Sequence, residues 1–131
     1  MKKIRKKFGK FFIALSQKDE KDMRQSILLI DDSFILPNNF VLIIKNVKEK
    51  FKNAKLVVLT FYNRKEFIKN NFPDAEIIIP SGRIMPNRHQ RAIQLFLLLR
   101  RNFNFIILSS LVVKAVCDLM AESSTSYDSI D

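Results

Sequence analysis

Short apolar runs alternating with helical patterns predict an α/β domain: a Rossmann-like parallel sheet of about four strands in the order 3-2-1-4, with flanking helices and a basic amphipathic helix in front. Three observations carry that expectation. The apolar runs are too short for helices and end at turn-forming residues. The segments between them repeat apolar residues at helical spacing. A chain of 131 residues, 47% hydrophobic with only two glycines, can bury one core but not two.

The first 25 residues hold nine Lys or Arg against Asp19, Glu20 and Asp22, a balance of +6 within a net charge of +10. At about 100° per residue, Ile4, Phe8, Phe11, Phe12 and Leu15 share one helical sector, and Lys2, Lys3, Arg5, Lys6, Lys7 and Lys10 fill the remainder. A helix of this kind suits an anionic membrane surface, each basic residue contributing about 1 kcal/mol and the rings entering the headgroup boundary. The expected membrane contacts are Lys2, Lys3, Lys6, Lys7, Phe8, Phe11 and Phe12. Packing of the apolar stripe on the domain is the competing reading. Nucleic acid fits less well, because the Phe residues lie away from the positive charge rather than interleaved with it.

The first strand is expected at residues 27–30, followed by a helix at 39–53 with Phe40, Ile43, Ile44, Val47 and Phe51 on its inner face. A second strand at 56–60, a short helix at 64–71 stopping before Pro73, and a third strand at 76–79 come next. Pro86 suits the opening turn of a helix that runs to about residue 101, with Ile93, Phe96 and Leu97 facing the core. The fourth strand is read at 105–108, at a sheet edge where it would pair with another chain. A last helix at 111–122 precedes a Ser-rich tail. The expected divisions are a leader at 1–25, the α/β domain at 26–122 and a flexible tail at 123–131.

Right-handed crossovers gather the functional loops at the carboxyl ends of the strands. A switch point between the first and fourth strands places Asp31, Asp32, Asn38, Asn39, Ser109 and Ser110 around one crevice, the expected acceptor-binding group. Ser81, Gly82 and Arg83 form an expected anion-binding turn through backbone N–H groups and a guanidinium, though a plain turn explains them equally. The paired acids Asp31 and Asp32 resemble the acidic pocket of response-regulator receivers. The acceptor Asp of such a pocket is missing, since Ile79, Pro80 and Ser81 follow the third strand. His89 has no partner in the pattern, and Cys117 reads as a small buried side chain of a reducing, cytoplasmic compartment. No metal-ligand spacing, nucleophile elbow or dinucleotide fingerprint occurs, so neither cofactor nor metal is expected.

The run from residues 27–30 into Asn38-Asn39-Phe40-Val41-Leu42, with Lys50-Phe51-Lys52-Asn53-Ala54-Lys55 closing the helix, resembles the start of heptosyltransferase-type GT-B glycosyltransferases. The similarity continues through Asn71-Phe72-Pro73-Asp74-Ala75-Glu76 and Arg100-Arg101-Asn102-Phe103-Asn104-Phe105, covering roughly residues 26–122. It implies the amino-terminal, acceptor-side lobe of a transferase linked to lipopolysaccharide or surface-glycan synthesis, with a separate donor-binding lobe or subunit as partner. It also implies a cytoplasmic protein peripheral to the inner face of the membrane. Where the family carries Gly-Asp at the head of its helix, this chain has Asn38-Asn39, and an Asn amide has no basic lone pair with which to take a hydroxyl proton. The isolated chain is therefore expected to be inactive, with no catalytic residue. A noncatalytic binding module recruited to a membrane surface or protein partner is the other reading.

Overall fold

The computed structural model describes residues 5–8, 12–17, 25–32, 35–80 and 88–130. The strands are β1 (Arg5–Phe8), β2 (Phe12–Ser16), β3 (Ser26–Ile30), β4 (Lys55–Leu59), β5 (Glu76–Ile78) and β6 (Phe105–Ser109). The helices are α1 (Pro37–Lys50), α2 (Lys65–Asn71), α3 (Arg88–Leu99) and α4 (Val113–Ile130). The six strands form one sheet in the order β1-β2-β6-β3-β4-β5. The four expected strands are β3 to β6, parallel and in the expected order.

The described part of the leader is not a helix. Residues 5–8 and 12–16 are strands, antiparallel to each other, and β2 is antiparallel to β6. A one-sided helical stripe and a strand buried on both faces use the same apolar residues. In β2, Phe12 and Ala14 enter one core layer and Leu15 the other. The strand form is favoured because it completes the ladder of β6, whose residues are buried throughout. The fourth expected strand is thus interior rather than an edge, with β3 on one side and β2 on the other.

One layer lies between the sheet and α1 with α2, containing Phe12, Ile27, Leu29, Val58, Ile107 and the buried face of α1. The α1 face is as expected: Phe40, Ile43, Ile44 and Val47 are buried, and the half-buried Phe51 ring lies 5.0 Å from Phe105. The second layer joins Leu15, Leu28, Val57 and Ile106 to α3 and α4, and holds the buried Cys117. α3 departs from expectation, since Ile93 and Leu97 are about half exposed and Leu98 and Leu99 carry the packing. Its run of five apolar residues, Leu95 to Leu99, offers no polar face to orient it, so contact with α4 and the sheet sets its rotation. Helix α4 continues to Ile130, beyond the expected stop at residue 122 and through the expected tail.

Two polar side chains tie the amino ends of the strands together. The fully buried Asn104 accepts a 2.9 Å hydrogen bond from the Ser26 N–H on Oδ1, while its own N–H donates to the Ser26 carbonyl. Gln17, at the end of β2, donates to the Leu99 carbonyl and accepts from the Phe103 N–H. Asn102 at φ 57° closes α3 in the left-handed conformation that Asn tolerates better than other non-glycine residues.

Replacing Asn104 by Ala leaves the partly buried Ser26 N–H without its side-chain acceptor and is expected to destabilise the fold by about 1 kcal/mol in urea unfolding. Ile107→Lys, in the middle of β6, is expected to destabilise on the order of 4 kcal/mol, and Ile78→Lys on the half-exposed edge strand β5 by much less. Equal losses at the two positions would contradict the interior placement of β6.

Candidate functional site

The carboxyl ends of β3, β4 and β6 meet around Asp31. Each strand delivers a polar residue as it leaves the sheet: Asp31 and Asp32 after β3, Thr60 after β4, and Ser109 at the end of β6. The Asp31 side chain is fully buried. Thr60 donates its hydroxyl to Oδ2 at 2.6 Å and Arg64 donates Nη1 to Oδ1 at 2.8 Å. Ser109 donates to Asp32 Oδ2 at 2.7 Å, linking the end of β6 to the same cluster.

Arg64 lies on a 3-10 turn, Tyr62–Arg64, between β4 and α2. Besides Asp31, it donates to the Asp32 carbonyl at 3.3 Å and the Ile35 carbonyl at 2.7 Å, so one guanidinium fixes the route from β3 into α1. Arg91, in the first turn of α3, donates to the Asp31 carbonyl at 2.8 Å from the opposite layer. Its guanidinium carbon lies 4.4 Å from the centre of the Phe61 ring, with that of Arg64 at 5.5 Å from the same ring. Buried Nη1 of Arg91 finds no hydrogen-bond partner among the described residues, and the ring face lies beside the guanidinium.

Burial pushes the Asp31 carboxyl above its ordinary value, against the Thr60 hydrogen bond and the Arg64 charge, which pull it down. Burial draws the Arg91 guanidinium down, with Asp31 and then Asp32 opposing. Both Asp31 oxygens are engaged by internal donors, and the side chain is closed off from solvent. Its role is to hold the ends of β3 and β4 and the turn bearing Arg64 in one arrangement.

The structure brings together only part of the expected crevice. Asp31, Asp32 and Ser109 join through the contacts above, and their neighbours Thr60, Arg64 and Arg91 were absent from the sequence expectation. The signal for them was indirect: a buried carboxylate at a strand end requires a cation, and Arg64 and Arg91 open the helical segments that follow β4 and β5. Asn38 and Asn39 are exposed in the first turn of α1, after an extended Leu36 with no side-chain cap and with Pro37 at the first helical position. Ser110 is exposed at the start of a 3-10 turn, Ser110–Val112.

Ser81, Gly82 and Arg83 fall outside the described residues, as do Lys2, Lys3 and Phe11. Lys6, Lys7 and Phe8 belong to β1, and their side chains are outside the described set. Phe12 corrects the expectation of membrane contact: it is 2% exposed, with its ring centre 6.1 Å from that of Phe40, and cannot enter a headgroup layer without opening the core. Among the described residues no group of three or more His, Cys, Asp or Glu could hold a metal ion, and no helix is long and apolar enough to cross a membrane. No protein-family model, curated protein or solved structure matches the chain.

Arg64→Ala strands the Asp31 carboxylate and is expected to cost about 3 kcal/mol at neutral pH. An acid whose native pKa is raised contributes its stability in full below the unfolded pKa and loses it as pH rises through the native one. The Arg64→Ala defect should therefore shrink on acidification, and the NMR titration midpoint of Asp31 should move further upward. A defect independent of pH would separate Arg64 from the Asp31 charge.

Proposed function

We propose that the chain is a noncatalytic Rossmann-like binding module, the acceptor-side lobe of a glycosyltransferase-like assembly that performs no transfer by itself. The observation that carries this reading is the commitment of Asp31 and Asp32 to internal partners, Thr60 and Arg64 for one and Ser109 for the other. Beside them the head of α1 presents neutral amides where proton removal would need a base. The sequence resemblance supports the acceptor-side assignment, and the strand order β5-β4-β3-β6 is compatible with a Rossmann-like domain.

The same rim also exposes Leu36, Tyr62 and Leu111, 67%, 53% and 77% accessible. Apolar groups around a polar centre suit a protein partner or the lipid portion of a lipid-linked glycan better than a free sugar. This supports a working position beside the membrane, in surface-glycan synthesis, with the donor-binding function on another lobe or subunit.

Incubated with a panel of nucleotide-sugars and lipopolysaccharide-core acceptors, the purified chain is expected to give no product above background. Asn39→Asp alone should stay equally inactive, because a base without a donor site supplies one contribution of the two that the reaction needs. Sustained turnover by either protein would overturn the proposal.

A further inference from the structure

The opposite end of the sheet carries a second polar site. A cavity of about 210 Å³ opens between the end of α1, the start of β4 and the segment leading into β5, lined by Lys48, Asn53, Lys55, Phe72 and Asp74 among others. A space of that size admits a tetrahedral phosphate group. We propose that this cavity binds the phosphate group of an anionic ligand, with the Lys48 and Lys55 ammonium groups and the Asn53 amide as donors.

Two of its lining residues, Lys48 and Lys55, belong to a basic stretch of sequence. Residues 45–55 contain Lys45, Lys48, Lys50, Lys52 and Lys55 against the single acid Glu49, and all five lysines are exposed. Lysines in the last turn of a helix complement its dipole, which accounts for Lys48 and Lys50. Lys52 and Lys55 lie beyond the helix, where the dipole no longer calls for them.

The adjoining acid is already occupied. Glu76 takes a paired contact from Arg101 at 2.9 and 3.2 Å, with Lys55 at a longer 3.4 Å, and Arg101 is the chief reason its carboxyl lies below its ordinary value. Lys55 is consequently the outer member of that group and retains donors for a ligand. Lys48 is held at the rim by the Phe72 ring, 5.5 Å from its centre. Asp74 in the same lining partly offsets the lysine charge and can accept a hydrogen bond from a protonated phosphate or from a hydroxyl beside it. Two ammonium groups act as point charges and suit a tetrahedral phosphate better than a planar carboxylate, which favours the fork of Arg.

The test uses the full chain and two sources of the same group, soluble inorganic pyrophosphate and vesicles containing phosphatidic acid in neutral lipid. NMR shifts on titration with pyrophosphate are expected at the amides of Asn53, Ala54 and Lys55. Lys48→Gln and Lys55→Gln should each weaken binding about fivefold, the equivalent of one basic residue near an anionic group. Lys65→Gln, the same charge change on α2 outside this cavity, should leave it within twofold, and binding should weaken as salt rises from about 0.05 to 0.3 M. If vesicles perturb the same amides and compete with pyrophosphate, the ligand is a lipid headgroup. If only pyrophosphate does so, it is a soluble phosphate compound. Shifts scattered over the surface, an equal loss in Lys65→Gln, or no shift with either probe would overturn the proposal.

Discussion

The fold depends on the pairing of β6 on both of its sides. A strand whose every residue is buried cannot leave one row of N–H and C=O groups without partners, because no water reaches them there. β3 satisfies one row in parallel and β2 the other in antiparallel. The antiparallel addition changes the character of the molecule. It draws the amino-terminal segment into the sheet, moves the edges outward to β1 and β5, and makes Phe12 and Leu15 members of the two cores.

At one end of the strands, a second constraint organises the loops. A carboxylate taken out of water is tolerated only with compensating partners, and Asp31 obtains a hydroxyl from the neighbouring strand and a guanidinium from the turn beyond it. Because that guanidinium also reaches the Asp32 and Ile35 carbonyls, electrostatic compensation and loop positioning are one arrangement. The head of α1 is placed as a result. An acid so used is an architectural element, which is why a crevice that looks chemical in the sequence becomes a support for the surface around it.

The parallel part of the sheet was legible because its residues speak locally. Each of β3, β4 and β6 is an apolar run bounded by polar or turn-forming residues, and α1 shows a clean alternation between Phe40, Ile43, Ile44 and Val47 inside and its lysines outside. The leader was misread because a set of apolar residues compatible with a helical stripe also forms a strand, and only the unpaired side of β6, far along the chain, decides between them. In α3 the continuous run Leu95 to Leu99 carries no orientation of its own. The acidic half of the strand-end cluster could be named from the sequence, since Asp31, Asp32 and Ser109 end their strands. Arg64 and Arg91 could not, because many exposed cations resemble them until the buried carboxylate is placed.

The pairing of Phe12 with Ser109 and of Ser16 with Phe105 joins two strands far apart in the sequence. During synthesis β2 therefore emerges long before β6, and closure of the sheet waits until β6 is available. Over that interval an apolar segment is accompanied by the Arg5–Phe8 stretch with its three consecutive cations. Like charges on neighbouring nascent chains oppose strand exchange between them, a property that suits the basic sequence of β1 to an assembly step delayed by the order of translation.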